Sequence, residues 1–381
     1  MPHGKEMSAH LTGVETRGVS HLSSESRFWI FISLAFMISF VAAPNAEVAR
    51  WLGFFFAAYA AVANDSIQTL GTFIASNKHR PWWVLWLFAG SVFFFTVLYS
   101  WFSPVYFGEE AHLQTEAILG TTLSYGGDVS SGRLFSKGFE STPMKFSFLQ
   151  VAAPIFLIVL TRFKMPVSTT FLLLTSFSSE VKGVMAVLEK SLTGYVLAFA
   201  IGFLVWVGLQ KKLEQWFTGK AHPIWSVFQW ITTGTLWSVW IMQDAANIAV
   251  YLPRTLTLFE FGAFSLVIIL GLGWMFRMGG EKIQEVVDEK SSVVDVRVAT
   301  LIDFFYAIIL FYFKMYNKVP MSTTWVFLGL LGGRELGIAF RSREFRSPKE
   351  AFSMITKDAS LAGIGLVVSF VVAIAVNQNF L

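Results

Sequence analysis

The heptapeptide Lys164-Met165-Pro166-Val167-Ser168-Thr169-Thr170 returns in the second half of the chain as Lys318-Val319-Pro320-Met321-Ser322-Thr323-Thr324. Each copy of this Lys-x-Pro-x-Ser-Thr-Thr pattern lies among apolar residues. A membrane protein that carries one polar motif in each half is typically built from two related halves, with a site where the halves meet. The repeat therefore predicts a two-part membrane protein.

The composition supports the same class. Hydrophobic residues make up 54% of the chain and charged residues 14%, and the mean hydropathy is +0.58. A soluble domain has too few charges at this composition to cover its surface. Several apolar stretches approach the ~20 residues that cross a bilayer, and they lie at 29–43, 82–101, 146–160, 192–209, 259–275, 299–313 and 359–376. We therefore predict an all-α integral membrane protein rather than a soluble helical one.

The residue inventory excludes several kinds of chemistry. The chain has no Cys, which excludes disulfides, thiol catalysis and thiolate metal sites. The six His show no paired metal-ligand spacing, and the net charge of +4 is spread over loops and gives no argument for nucleic acid. No nucleophile–base pair or P-loop is visible. We expect no enzyme activity, no ATP dependence and no cofactor.

Changes in polarity divide the chain into candidate segments. Residues 104–146 are rich in Ser and Gly, and residues 281–298 are too charged to cross a membrane. The predicted organisation is a polar tail at 1–27, a first transmembrane repeat at 28–209 with an extramembrane loop at 104–146, a linker at 210–224, and a second repeat at 225–381 with an interfacial segment at 281–298.

An amide-Asp-x-x-amide motif follows an apolar run in each half. On a helix the two amides lie four residues apart and share a face, and the Asp lies near that face. Amide carbonyls and a carboxylate are hard oxygen ligands for a small cation, and a charge at membrane depth is costly unless it is paired or bound. We predict ligands of a small cation, or alternatively helix caps or a structural hydrogen-bond network, at Asn64, Asp65, Gln68, Gln243, Asp244 and Asn247.

The Ser-Thr-Thr motifs favour a different ligand. Pro suits the start of a helix, and a Ser or Thr just after it can cap that helix. The free N–H groups and positive dipole end of a helix start bind anions, and adjacent hydroxyls add donors without adding charge. An ordinary helix start is the alternative, but two equivalent copies favour anion binding by Ser168, Thr169, Thr170, Ser322, Thr323 and Thr324.

These motifs resemble the inorganic phosphate transporter family, often called PiT, which includes sodium–phosphate symporters and bacterial permeases. That family carries a Gly-x-Asn-Asp-x-x-Asn motif and a Pro-x-Ser-Thr-Thr motif in each half. The chain matches the second motif in full at 166–170 and 320–324, and the first in part at Asn64-Asp65, Asp244 and Asn247. Order and duplication agree over about residues 28 to 377.

Several positions depart from the family pattern. Gln68 and Gln243 stand where the family has Asn, and a Gln side chain is one methylene longer. Val62 and Ile241 stand in place of the family's Gly, and Phe171 and Trp325 stand where His is common. The chain thus resembles a divergent member of the family.

The resemblance implies two inverted-topology repeats with broken or re-entrant segments, and a site near the membrane centre between them. It also implies cation-driven uptake of inorganic phosphate, with sodium ions favoured as coupling ions and protons as the alternative, by a homodimer in a bacterial inner membrane. A permease for sulfate or another tetrahedral oxyanion is the nearest alternative function. A channel or receptor on a transporter-like fold is an alternative of another class.

Inversion makes a prediction about sidedness. If the repeats are inverted, the two Ser-Thr-Thr segments enter from opposite sides of the membrane. Single Cys residues introduced at Lys164 and Lys318 should then react with an impermeant thiol reagent from opposite sides, in a chain that has no native Cys. Labelling of both positions from one side would rule out inversion.

Overall fold

The computed structural model describes residues 24–103, 126–136, 138–178, 181–278, 295–316, 321–341 and 347–376. Most of the predicted 1–27 tail, the first part of the 104–146 loop and most of the 281–298 segment lie outside the described residues. Lys318 and Pro320 of the second Ser-Thr-Thr motif also lie outside them.

The described chain is nearly all helical. One antiparallel pair of two-residue strands joins the two halves, with Gly126 opposite Thr257 and Gly127 opposite Leu256. In chain order the elements are α1 Ser24–Ala42, α2 Ala46–Ser76, α3 Trp82–Phe102, β1 Gly126–Gly127, α4 Arg133–Ser136, α5 Phe148–Arg162, a π-helical turn Thr170–Leu174, α6 Val181–Trp216, α7 Ile224–Ala249, β2 Leu256–Thr257, α8 Leu258–Arg277, α9 Val296–Tyr316, α10 Thr323–Arg341 and α11 Pro348–Val376.

The helices have the length and surface of membrane-spanning segments. Seven helices of the described chain are long and apolar enough to cross a bilayer. Large apolar side chains face outward along them, such as Phe40, Phe95 and Leu204, each of which is at least 65% exposed. Such a surface suits lipid and not water. The prediction of an all-α, multi-pass integral membrane protein is confirmed.

Two helix ends differ from the predicted segment boundaries. Helix α1 begins at Ser24, inside the predicted tail, and α6 continues to Trp216, inside the predicted 210–224 linker. Residues 210–216 are rich in Lys, Leu, Gln and Glu, which are good helix formers. The charges at Lys211 and Lys212 therefore end the apolar stretch without ending the helix.

Equivalent helices of the two halves pack in opposite directions. Near one end of the α2–α7 pair, Gly53 lies against the ring of Tyr251, and near the other end Asn77 donates to Gln229 Oε1 at 2.9 Å. In the α3–α8 pair, Trp86 Nε1 donates to the Ile269 carbonyl at 2.9 Å. Trp101, further along α3, donates to the carbonyl of Leu256, just before α8 begins. Antiparallel packing is compatible with inverted repeats, and the inversion itself stays a prediction.

A glycine face brings α6 and α10 into backbone contact. Three glycines spaced four residues apart on α10 lie on one side of that helix, a spacing that lets two membrane helices approach closely. A Cβ atom placed on any of them would meet a carbonyl of α6, the pairs being Gly329 with Tyr195, Gly333 with Phe199 and Gly337 with Phe203. Residue numbers increase in the same direction along both helices at these contacts, so α6 and α10 run parallel.

This close contact predicts that adding one methyl group to α10 will destabilise the protein. Gly333→Ala should lower the free energy of unfolding by about 1–3 kcal/mol, because a packed helix pair must separate to admit the Cβ. Gly208→Ala on α6 is the matched control, since a Cβ there meets nothing within 4 Å. Thermal unfolding of both variants in detergent is the measurement. Equal stability of the two would contradict the close approach.

Candidate ion-binding site

The structure buries the predicted site residues together. The first Asp motif lies in the second half of α2, and the second lies in the last turns of α7. The second Ser-Thr-Thr motif begins α10, and the first leads into the π-helical turn. All twelve predicted site residues are at most 5% exposed. They are Asn64, Asp65, Gln68, Ser168, Thr169, Thr170, Gln243, Asp244, Asn247, Ser322, Thr323 and Thr324.

The two Ser-Thr-Thr motifs do not begin equivalent helices. The second starts a helix of 19 residues, whereas the first starts a π-helical turn of only five. Thr175 donates its hydroxyl to the Phe171 carbonyl, and Ser176 donates to the Leu173 carbonyl at 2.6 Å. Such side-chain bonds compete with backbone bonds and favour helix ends. The expectation of a helix start at both motifs therefore holds in full only for the second.

Hydroxyls from both motifs converge on the Asp244 carboxylate. Thr323 Oγ1 donates to Asp244 Oδ2 at 2.5 Å, and Thr170 Oγ1 lies 3.4 Å from Oδ1. Asn247 Nδ2 donates to the same Oδ1 at 2.9 Å. Trp240 Nε1, one helical turn earlier, donates to Thr323 Oγ1 at 3.3 Å and so orients that hydroxyl. The acidic motif of the second half is thus bound by hydroxyls of both halves.

The Asp65 carboxylate is less well satisfied. Asn64 Nδ2 donates to Asp65 Oδ1 at 2.6 Å, and Gln68 Nε2 donates to Asn64 Oδ1 at 3.1 Å. Oδ2 of Asp65 is buried and has no hydrogen-bond partner among the described residues, although Thr169 lies close enough to interact with the carboxylate. A buried oxygen without a partner calls for an explanation such as a bound ion or a proton.

The two acidic motifs belong to one network. Asp65 and Asp244 lie close enough to repel each other. Asn64 Nδ2 donates to the Val167 carbonyl at 2.8 Å, and the Thr324 hydroxyl lies 3.4 Å from that oxygen. The first Ser-Thr-Thr motif therefore contacts the acidic motif of the second half directly, and the second is linked to the acidic motif of the first half through the Val167 carbonyl. Two buried carboxylates that repel each other favour binding of a cation or a proton.

The amide of Asn247 extends this network to the first Ser-Thr-Thr motif. Asn247 Nδ2 lies 3.0 Å from Thr169 Oγ1 and 3.0 Å from Thr170 Oγ1. An amide nitrogen that donates to a hydroxyl oxygen leaves the hydroxyl proton available for another acceptor. The threonines can therefore act as donors to a ligand while the amide holds them in place.

Three predicted residues make other contacts. Ser168 Oγ accepts from the Phe171 N–H at 3.2 Å, and Ser322 Oγ accepts from the Trp325 N–H at 3.3 Å, so both serines act as caps. Gln243 Nε2 donates to the Leu310 carbonyl of α9 at 2.7 Å. Direct ion contacts by these residues stay a prediction.

Three further residues around the site belong to neither sequence motif. Trp240 carries no motif, but it lies four residues before Asp244 and therefore on the same face of α7. Tyr306 donates from its hydroxyl to the Thr323 carbonyl at 3.0 Å. Asp303 is an acid inside the apolar run of α9, and a charge at membrane depth was the available signal.

The caps and the donors can be separated by mutation. Thr323→Val removes a hydroxyl that reaches the carboxylate network, so binding of the predicted anion should weaken by about 1–3 kcal/mol. Ser322→Ala should instead cost about 1 kcal/mol of stability with anion affinity unchanged, because it removes a cap. Anion affinity and melting temperature measured on both variants are the test. Equal loss of affinity would show that the serine also contacts the anion.

Comparison with known proteins yields one structural likeness of note. No family model matches the chain, and no curated protein matches it. A solved structure described as "The sodium-dependent phosphate transporter" is similar over 90% of this chain and 97% of that chain, with a TM-score of 0.52 and 17% sequence identity. At this identity the likeness concerns the fold: the chain folds like that transporter over nearly its whole length.

Proposed function

We propose that the chain is a cation-coupled secondary transporter of inorganic phosphate and a divergent member of the PiT family. It would work by alternating access around the buried network, as a homodimer in a bacterial inner membrane. The observation that carries the proposal is the meeting of two buried carboxylates with threonine hydroxyls from both halves of the chain. The likeness to a sodium-dependent phosphate transporter supports it.

The cation would bind at the carboxylates. Asp65 Oδ2 is buried without a hydrogen-bond partner among the described residues, and Asp244 adds a second charge nearby. The Val167 carbonyl and the side-chain oxygen of Asn64 supply further hard oxygens to the same region. This donor set suits sodium. Protonation of one carboxylate would relieve the same repulsion and is the alternative.

The anion would bind at the threonine hydroxyls and the start of α10. In the structure the Thr323 hydroxyl donates to Asp244, so this donor is engaged with the carboxylate. A cation on the carboxylate would weaken that bond and free the hydroxyl for a phosphate oxygen. The bound cation also removes the repulsion between carboxylate and anion. Both effects make anion binding depend on cation binding, which is the requirement for coupled transport.

Phosphate fits this site better than sulfate does. Near neutral pH phosphate keeps a proton and can donate a hydrogen bond, whereas sulfate can only accept. Asp65 and Asp244 offer acceptors beside the hydroxyls. A site built for a donor rejects an analogue that lacks one, because a buried polar group is then left unpaired.

Uptake into proteoliposomes tests the proposal. We expect saturable uptake of labelled phosphate driven by a sodium gradient, blocked by excess arsenate and not by excess sulfate. Competition by sulfate as strong as that by arsenate would make the chain a general oxyanion permease. Uptake without saturation or counterflow would indicate a channel.

The same uptake assay measures the predicted effect of neutralising each carboxylate. Asp65→Asn and Asp244→Asn should each reduce gradient-driven uptake by about 100-fold or more, since even groups that only support a metal ligand contribute 10–100-fold to affinity. Asp358→Asn on α11 is the control, because it removes a carboxylate from a helix outside the network. Normal sodium dependence in both site variants would refute the cation assignment.

A further inference from the structure

A further buried carboxylate is that of Asp303 on α9. Its side chain is in the interior, 1% exposed. Thr72 Oγ1 of α2 donates to Asp303 Oδ1 at 2.6 Å, and the Thr233 hydroxyl of α7 donates to Oδ2. The two threonines come from the two helices that carry the Asp motifs. Asp303 therefore joins both halves, and the proposed function does not use it.

Polar side chains continue from Asp303 to the end of α2. Gln229 Nε2 donates to Ser76 Oγ at 2.5 Å, and Asn77 Nδ2 donates to Gln229 Oε1 at 2.9 Å. Arg80 Nε donates to Asn77 Oδ1 at 3.0 Å. Gln229 and Asn77 are buried, whereas Arg80 is partly exposed. We call the set of Thr72, Ser76, Asn77, Gln229, Thr233 and Asp303 the polar file.

The polar file follows one face of each helix. Thr72 and Ser76 follow Asp65 by seven and eleven residues, which keeps all three on one side of α2. At 1.5 Å per residue they lie about 10 and 16 Å along the axis from Asp65. Thr233 precedes Asp244 on α7 by eleven residues, which preserves the face in the opposite direction. The file therefore runs between α2 and α7, beginning about 10 Å along α2 from Asp65 and continuing to the end of that helix.

The opposite side of the site has a different lining. Tyr251 lies one turn beyond Asn247 and is fully buried. Its ring stacks on Phe146 with centroids 6.3 Å apart and meets Phe177 edge-on at 4.9 Å. These aromatic side chains cover the site on this side. On the polar-file side, Trp237 and Trp240 stack between Thr233 and Asp244, and the hydroxyl, amide and carboxyl groups of the file lie beyond them.

We propose that Asp303 is a relay site for a small monovalent cation, on a polar file that carries the coupling ion between the central carboxylates and the membrane face where α2 ends. The carboxylate and the hydroxyl oxygens of Thr72 and Thr233 supply its ligands. This inference rests on the proposed function. A purely structural role, in which Asp303 only ties α2, α7 and α9 together, is the competing explanation.

Two fluxes of one preparation separate these roles. Net uptake of phosphate down a cation gradient requires the carrier to release its cation in every cycle. Exchange of labelled for unlabelled phosphate, with equal sodium and pH on both sides, lets the carrier cross with its cation still bound. A residue needed for cation release affects net uptake far more than exchange, whereas a residue needed for folding affects both.

The central variant is Asp303→Asn, which keeps the shape of the side chain and removes its charge. We expect net uptake to fall at least tenfold and exchange to stay within about twofold of wild type. Asp303→Glu, which restores the charge, should recover part of the net uptake. Repeating net uptake with only a sodium gradient and with only a proton gradient shows which cation the relay carries.

The threonines provide a second test that does not alter the carboxylate. Thr72→Val and Thr233→Val are isosteric and should lower net uptake selectively. Thr235→Val is the matched control on α7, because the Thr235 hydroxyl is exposed and donates to the Ile231 carbonyl of its own helix. That control should leave both fluxes unchanged.

The outcomes are distinct. Parallel loss of exchange and net uptake, with a lower melting temperature, would overturn the relay in favour of the structural role. Normal net uptake in Asp303→Asn would also overturn it. A wild-type protein that shows neither flux would instead refute the proposed function, so the two failures can be told apart.

Discussion

The burial of like charges is the constraint on which the rest of the structure depends. Asp65 and Asp244 lie within reach of each other in the interior, and each is at most 3% exposed. A carboxylate removed from water needs hydrogen-bond donors or a cation nearby. The helix of each acid supplies one amide donor, Asn64 to Asp65 and Asn247 to Asp244, and further donors come from other elements. The chain brings two Ser-Thr-Thr motifs, from opposite halves, to the same place.

Close packing of α10 against α6 contributes to that meeting. Thr323 stands at the first residue of α10, and Gly329 and Gly333 let the next turns contact the α6 backbone. Met321, just before α10, packs on Gly194 of α6. The position of the Thr323 hydroxyl, and hence its bond to Asp244, therefore depends on glycines that carry no chemistry themselves. A bulkier helix face would displace the donor from its acceptor.

The two halves supply the same motif on different backbones. In the second half the hydroxyls stand on a long, glycine-packed helix. In the first half Thr170 begins a five-residue π-helical turn, and Lys164, six residues earlier, adopts a left-handed backbone with φ of 58°. In the first copy the hydroxyl oxygens of Thr169 and Thr170 accept hydrogen bonds from Asn247 Nδ2. The Val167 carbonyl of the same copy accepts a hydrogen bond from Asn64 Nδ2. A broken segment can expose both backbone and side-chain groups where a continuous helix would bond its own carbonyls.

Duplication explains what the sequence could predict and what it could not. The membrane class and the grouping of twelve polar residues followed from hydropathy and from motifs that occur twice. The cap roles of Ser168 and Ser322 could not be separated from ion binding, because one hydroxyl serves either role and only the position of the next N–H groups decides. The end of α6 inside the predicted 210–224 linker could not be predicted from hydropathy, because charge ends a membrane span but not a helix.

Asp303 shows the limit of the repeat as a signal. Its counterpart helix in the first half, α5, contains no Asp or Glu, so no second copy marked it. What identifies Asp303 is spatial: two threonines that are far apart in sequence meet at one carboxylate, on the two helices that hold the paired acids. Repeated residues form the centre of the site in this fold. Asp303 occurs in one half alone, so only the contacts of its carboxylate could identify it.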